Sequence, residues 1–176
     1  LVQNAVDLHD ARVVFTSIEE GGRDRASLDL LWRSELGLSE DVMSQRLFCH
    51  FAEESASADS RRETVEAAMS RARSFIESGH DVLHIIDDRL AVNDQIIALA
   101  RDAVPGDAAV TTLWLGHYTV GLEPDHYAFL DGVICFSRTR AGQRLFPAVD
   151  PINSWSRLGR EAPNDEHARL AREARA

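Results

Sequence analysis

Apolar residues in this chain fall into short, near-continuous runs separated by amphipathic segments, the alternation expected of an α/β domain. Arg12 to Ile18 (Arg-Val-Val-Phe-Thr-Ser-Ile) is β-branched and aromatic and predicts a buried strand. Arg46–Phe51, Asp81–Asp87, Ala109–Leu115 and Gly132–Ser137 predict four more. The third, Asp-Val-Leu-His-Ile-Ile-Asp, is apolar on both faces, as strands of parallel sheets are. Helical spacing covers Leu1–Leu8 and Ala26–Leu36, with Leu28, Leu31, Trp32 and Leu36 on one face and Gly37 as the C-cap. A further helix carries Val65, Met69, Ala72, Phe75 and Ile76; the capping box Ser60-Arg61-Arg62-Glu63 opens it and Gly79 closes it. Residues 93–103 and 165–175 predict two more helices, the last set off by Pro163. The fold class is therefore α/β, a mainly parallel sheet flanked by helices.

Composition narrows the function classes. A chain of 176 residues can bury one sizeable core, and 44% hydrophobic with 27% charged residues is ordinary for a globular protein. No apolar run approaches the roughly 18 residues that span a bilayer, which argues against membrane insertion. A net charge of −10 argues against a broad nucleic-acid footprint, while leaving room for a small basic site around a phosphate. Cys49 and Cys135 lie in apolar strand-like runs and read as buried reduced thiols, which favours a cytoplasmic setting. The seven histidines show no metal-ligand spacing, since a strand lies across His80 and His84. The chain has no signal peptide and no initiator Met, and is expected to be a piece of something longer.

The stretch from Arg144 to Arg157 (Arg-Leu-Phe-Pro-Ala-Val-Asp-Pro-Ile-Asn-Ser-Trp-Ser-Arg) has no amphipathic period. Pro147 and Pro151 stiffen it, and Phe146 before a proline is biased away from helix, so it reads as an ordered loop. Phe146 on such a loop could stack on a flat ligand, and Arg157 offers a planar charged fork suited to phosphate. Alternatively, the turn plugs the core with Phe146 and Trp155.

Phe-Pro-Ala-Val-Asp-Pro followed by Ser-Trp-Ser-Arg resembles the segment after the last core strand of RecA-like hexameric ATPases. These include the alpha and beta subunits of ATP synthase, flagellar and type III export ATPases, and termination factor Rho. The resemblance implies that Phe146 and Pro147 pack against adenine and that Arg157 acts on the nucleotide of a neighbouring subunit. Asp81–Asp87 is similar to a Walker B strand, which implies that Asp87 holds Mg²⁺ through water; Asp88 resembles the second of the paired aspartates in alpha subunits. Matched from Phe15 onward, Glu20 falls on the glutamate that polarises the attacking water, and Arg23 and Asp24 on the Arg-Glu pair that follows it. His50–Ala58 looks like the switch segment, and Leu130–Arg138 resembles the last-strand signature of export ATPases. The resemblance implies ATP/ADP and Mg²⁺ as ligands, homologous ring subunits as partners, a central shaft or membrane-bound motor, and a cytoplasmic location peripheral to a membrane complex. Residues 1–158 would be the nucleotide-binding core and 159–176 the start of a C-terminal helical region.

Three departures stand out. Gly21 replaces the basic residue that follows the family's glutamate. The stretch between Asp87 and the fourth strand is much shorter than in rotary ATPases. No Gly-x-x-x-x-Gly-Lys-Ser/Thr occurs in the 176 residues, so either the phosphate loop and its strand lie upstream of Leu1, the favoured expectation, or the chain is a degenerate relative that never had them. An ATPase, a non-catalytic interaction subunit and a Rho-like RNA translocase all remain as readings, the last disfavoured by charge.

Overall fold

The computed structural model describes residues 1–18, 37–52, 56–87, 108–116 and 130–157, with the helical residues 27, 30, 33, 34, 166, 169, 170 and 173. The chain divides into two compact units, Leu1–His117 and Tyr118–Ala176.

The first unit is built on four parallel strands in the order β2-β1-β3-β4: β1 Arg12–Ser17, β2 Leu47–Phe51, β3 Val82–Asp87 and β4 Val110–Leu115. β1 and β3 are buried along almost their whole length, because both faces are covered. On one face α1 (Val2–His9) and α2 (Glu40–Arg46) bring Val6 and Met43 against Val13, Phe15, Leu47, Leu83 and Ile85. On the other, α3 (Ala58–Glu77) lays Val65, Ala68, Met69, Ala72 and Ile76 over Val14, Ile18 and Val82. The strand side chains alternate between the two layers, so one continuous apolar run serves two cores.

Capping fixes the helix ends. The Ser57 hydroxyl accepts from the Ser60 amide (3.2 Å), so α3 begins one turn before the capping box expected at Ser60. The two serines stand three residues apart, and only the hydrogen bond distinguishes them. Gly79, with φ of 81°, takes the left-handed position after α3, as expected of a closing glycine. α2 was not anticipated; Ser39 caps it at the Val42 amide (3.3 Å), and Arg46 pins it to α1 by donating to the Val6 carbonyl (2.9 Å) and pairing with Asp10 (2.8 Å). The helix expected at 93–103 lies outside the described residues; those at 26–36 and 165–175 are described only at the isolated helical positions above.

The second unit contains β5 (Gly132–Phe136), the short helix α4 (Arg138–Gly142) and β6 (Val149–Ser156). β5 and β6 pair antiparallel in a two-stranded sheet of their own. This corrects the reading of the proline-rich stretch as a loop, since its second half is a strand. Pro151 is accommodated because the register shifts opposite Val133–Cys135, and a bulge needs no ladder donor from a proline. Cys49 and Cys135 form no disulfide with each other, and both are half-buried rather than buried.

Candidate functional site

All four parallel strands end at one level. Ser17 is the Cα partner of both Phe51 and Asp87, and Asp87 is the partner of Leu115. The ladders close there: the Ile18 amide donates to the Asp87 carbonyl (3.1 Å) and the Ala52 amide to the Ser17 carbonyl (2.9 Å). From β1 the chain passes to β2 on one side, whereas from β3 it passes to β4 on the other. The crevice between the carboxyl ends of β1 and β3 is therefore a topological switch point, where open α/β sheets bind ligands. Half-buried Asp87 sits on that crevice. Glu20 and Arg23 follow β1 in sequence and lie outside the described residues. Among the described residues no group of three His, Cys, Asp or Glu side chains could hold a metal directly. A single carboxylate at a strand end fits Mg²⁺ held through water, because that ion keeps several of its own waters.

The second unit carries the remaining predicted residues. Phe146 and Pro147, joined by a cis peptide bond, lie between α4 and β6. Phe146 is 75% exposed, so it does not plug a core. Beyond it the Asp150 carboxylate ties the β6 bulge: Oδ1 accepts from the amides of Ile152 (3.0 Å) and Asn153 (3.3 Å), and Oδ2 from Asn153 Nδ2 (2.7 Å). These bonds, led by that from the Asn153 side chain, hold the Asp150 carboxyl below its ordinary pKa. Ser154 Oγ donates to the Asp150 carbonyl (2.5 Å) and accepts from the Cys135 amide (2.9 Å), fastening the bulge to β5. Arg157 follows directly. Its amide donates to the Asp131 carbonyl (2.7 Å), and its guanidinium lies 3.4 Å from the Leu130 carbonyl and 3.5 Å from the Asp131 carboxylate. Gly132 permits the close strand approach, since a Cβ there would meet the Trp155 carbonyl at 3.1 Å.

The chain is 32% identical to the flagellum-specific ATP synthase of Aquifex aeolicus, over 57% of this chain and 30% of that protein. The solved ATPase of the type III secretion system of pathogenic bacteria matches 93% of this chain and 54% of its own, with a TM-score of 0.62 and 21% identity. The assembled ATPase EscN of enteropathogenic E. coli matches 92% of this chain and 45% of its own, with a TM-score of 0.63 and 23% identity; EscN has also been solved with its central stalk EscO. No protein-family model matches. The chain has the RecA-like fold of these ATPases. It spans about a third of its curated relative and about half of these structural neighbours.

Within this RecA-like fold, Asp87 stands on the first unit, and Phe146, Pro147 and Arg157 on the second. Sequence reasoning had not picked out Asp131, Asp150 or Ser154, which mount Arg157. An aspartate before proline is a signal for turn initiation, and Asp150-Pro151 carried it. It also passed over Thr16 and His84, wholly buried polar residues in the middle of β1 and β3.

Proposed function

We propose that this chain forms the nucleotide-handling core of an ATP-hydrolysing or ATP-synthesising subunit that works at a subunit boundary of a ring. The observation that carries the reading is Asp87 at the switch point between β1 and β3, on the fold of the export ATPases. Residues 1–158 would be the core and 159–176 the start of a C-terminal helical region. Glu20, after β1, would orient and polarise the attacking water. Asp87 would hold Mg²⁺ through water, and the bound ion would neutralise phosphate charge. Exposed Phe146, with Pro147, would pack against adenine. Arg157, with Arg23 as a further cation, would act on phosphate, Arg157 reaching the nucleotide of the next subunit. EscN is solved with a central stalk, which supports a shaft as partner here. The location would be cytoplasmic, peripheral to a membrane complex; among the described residues no helix is long and apolar enough to cross a membrane.

Mixed assemblies test the reading. In a parent chain that carries the phosphate loop expected upstream of Leu1, Glu20→Gln should abolish Mg-ATP turnover while nucleotide stays bound, and Asp87→Asn should weaken the Mg²⁺-dependent part of binding. An arginine finger contributes on the order of 10³-fold or more in rate, so Arg157→Ala should fall at least that far. Mixing Arg157→Ala with Glu20→Gln subunits should restore activity, because some interfaces then hold both intact groups. A non-catalytic interaction subunit, the reading favoured by Gly21 after Glu20, gives no turnover in any mixture.

A further inference from the structure

On the α3 side of the sheet four polar residues stand on two adjacent rows. Alternation along the strands places His50 of β2, Thr16 of β1, His84 of β3 and Thr112 of β4 on that side; Thr16 is the Cα partner of His50, and His84 that of Thr112. Thr16 and His84 are both 0% exposed, with His84 Nε2 3.0 Å from Thr16 Oγ1. His84 Nδ1 is buried with no hydrogen-bond partner. Of the two neutral tautomers, the one with the proton on Nε2 donates to Thr16 and leaves a bare lone pair at Nδ1. The other strands an N–H donor in the core, which costs more.

We propose that the Thr16–His84 pair is a proton-released clasp: neutral, it fastens β3, which ends at Asp87, to β1 beneath α3, and protonation of His84 opens it. A second ring proton would sit on Nδ1, where no group among the described residues accepts it. The charge would arise under Val65, Ala68, Met69 and Ala72 of α3, all apolar positions. Among the described residues, the titratable group that acts on His84 is His50 on β2, which itself feels Arg71 on α3; neither can compensate a positive charge, and Thr16 on β1 and Thr112 on β4 do not titrate. Burial first, and His50 second, push the His84 pKa down to about 4. Burial and then Arg71 also lower that of His50. The clasp is independent of the nucleotide reading, because it is measured on folding alone.

The folded-state pKa of His84 lies below its unfolded value near 6.5. Between the two the unfolded chain binds the extra proton, so the stability His84 confers is complete above pH 6.5 and is lost as pH falls toward 4. The test is urea unfolding of the chain from pH 7.5 to 4.5, alongside NMR of the His84 ring. The folded-to-unfolded ratio of the unmodified chain should fall on the order of 10²-fold further than that of His84→Met over this range. His50→Gln should keep most of that excess, and the ring should show the Nε2–H tautomer with no folded-state titration near pH 6.5. An equal fall in His84→Met, or a reversible ring titration near 6.5 in the folded chain, overturns the clasp. If His84→Met does not fold, the ring titration of the unmodified chain decides: loss of native signals with protonation supports it, and titration near pH 6.5 within an intact fold refutes it.

Discussion

In the unit Leu1–His117, four strands lie between helical layers, and Val13, Val14 and Ile86 are wholly buried. In the β5–β6 hairpin, by contrast, Ile134, Phe136 and Ile152 are each more than two-thirds exposed. Its order comes instead from short polar bonds: three onto the Asp150 carboxylate, two through Ser154, and the Arg157 amide on the Asp131 carbonyl. The sheet holds its carboxyl edge by burying area, whereas the hairpin holds Arg157 by local hydrogen bonds. Two strands alone bury little apolar surface between them, so each of those bonds counts for more there. The contrast suits the proposed division of labour, with a rigid platform under Asp87 and a locally shaped mount for an arginine that serves another subunit.

The largest effect that could break this contrast is in the sheet core. Ile86→Ala removes a fully buried side chain beneath α3 and should cost about 2–5 kcal/mol in urea unfolding. Phe136→Ala, at 75% exposure, should change stability by no more than about 0.5 kcal/mol. Comparable losses from the two would mean that the hairpin is held by apolar contacts after all.

The same physics explains what could be read in advance. Parallel strands buried on both faces leave continuous apolar runs, so β1 to β4 and the aspartate ending β3 were legible. α2 was not, because in seven residues it offers only Val42 and Met43 as apolar positions and depends on Ser39 and Arg46 for its ends. β6 was hidden by Pro151, since a bulge that tolerates proline leaves no periodic trace. Of the candidate site, Asp87 was found at a strand end as expected. Glu20 and Arg23 lie outside the described residues, and the bonds that mount Arg157 depend on pairings between β5 and β6 that no local pattern encodes. His84 reads in sequence as a single polar interruption of a strand; only its burial and orphan nitrogen mark it.

A middle-sized effect tests the polar side of the contrast. Asp150→Ala removes the acceptor for the Ile152 and Asn153 amides without touching a core. Hydrogen exchange at those two amides should accelerate on the order of tenfold, while the β1 and β3 amides keep their protection. Unchanged exchange at Ile152 and Asn153 would show that the bulge holds its shape without the carboxylate.

The smallest effect asks which bond fixes Arg157. Its guanidinium stands 3.5 Å from the Asp131 carboxylate, but the two side chains are 54% and 88% exposed, so water and salt screen the pair. The backbone bond from the Arg157 amide to the Asp131 carbonyl is shorter, at 2.7 Å, and does not depend on the side chain. Asp131→Asn should therefore leave the urea midpoint unchanged and the Arg157 amide as protected as before. If the ladder alone fixes Arg157, raising salt should also have the same effect on the unmodified chain and on Asp131→Asn. A variant that loses protection at the Arg157 amide, and an unmodified chain that loses it in high salt, would place the hold on the ion pair. The hairpin would then depend on charge at its surface as well as on its hydrogen bonds.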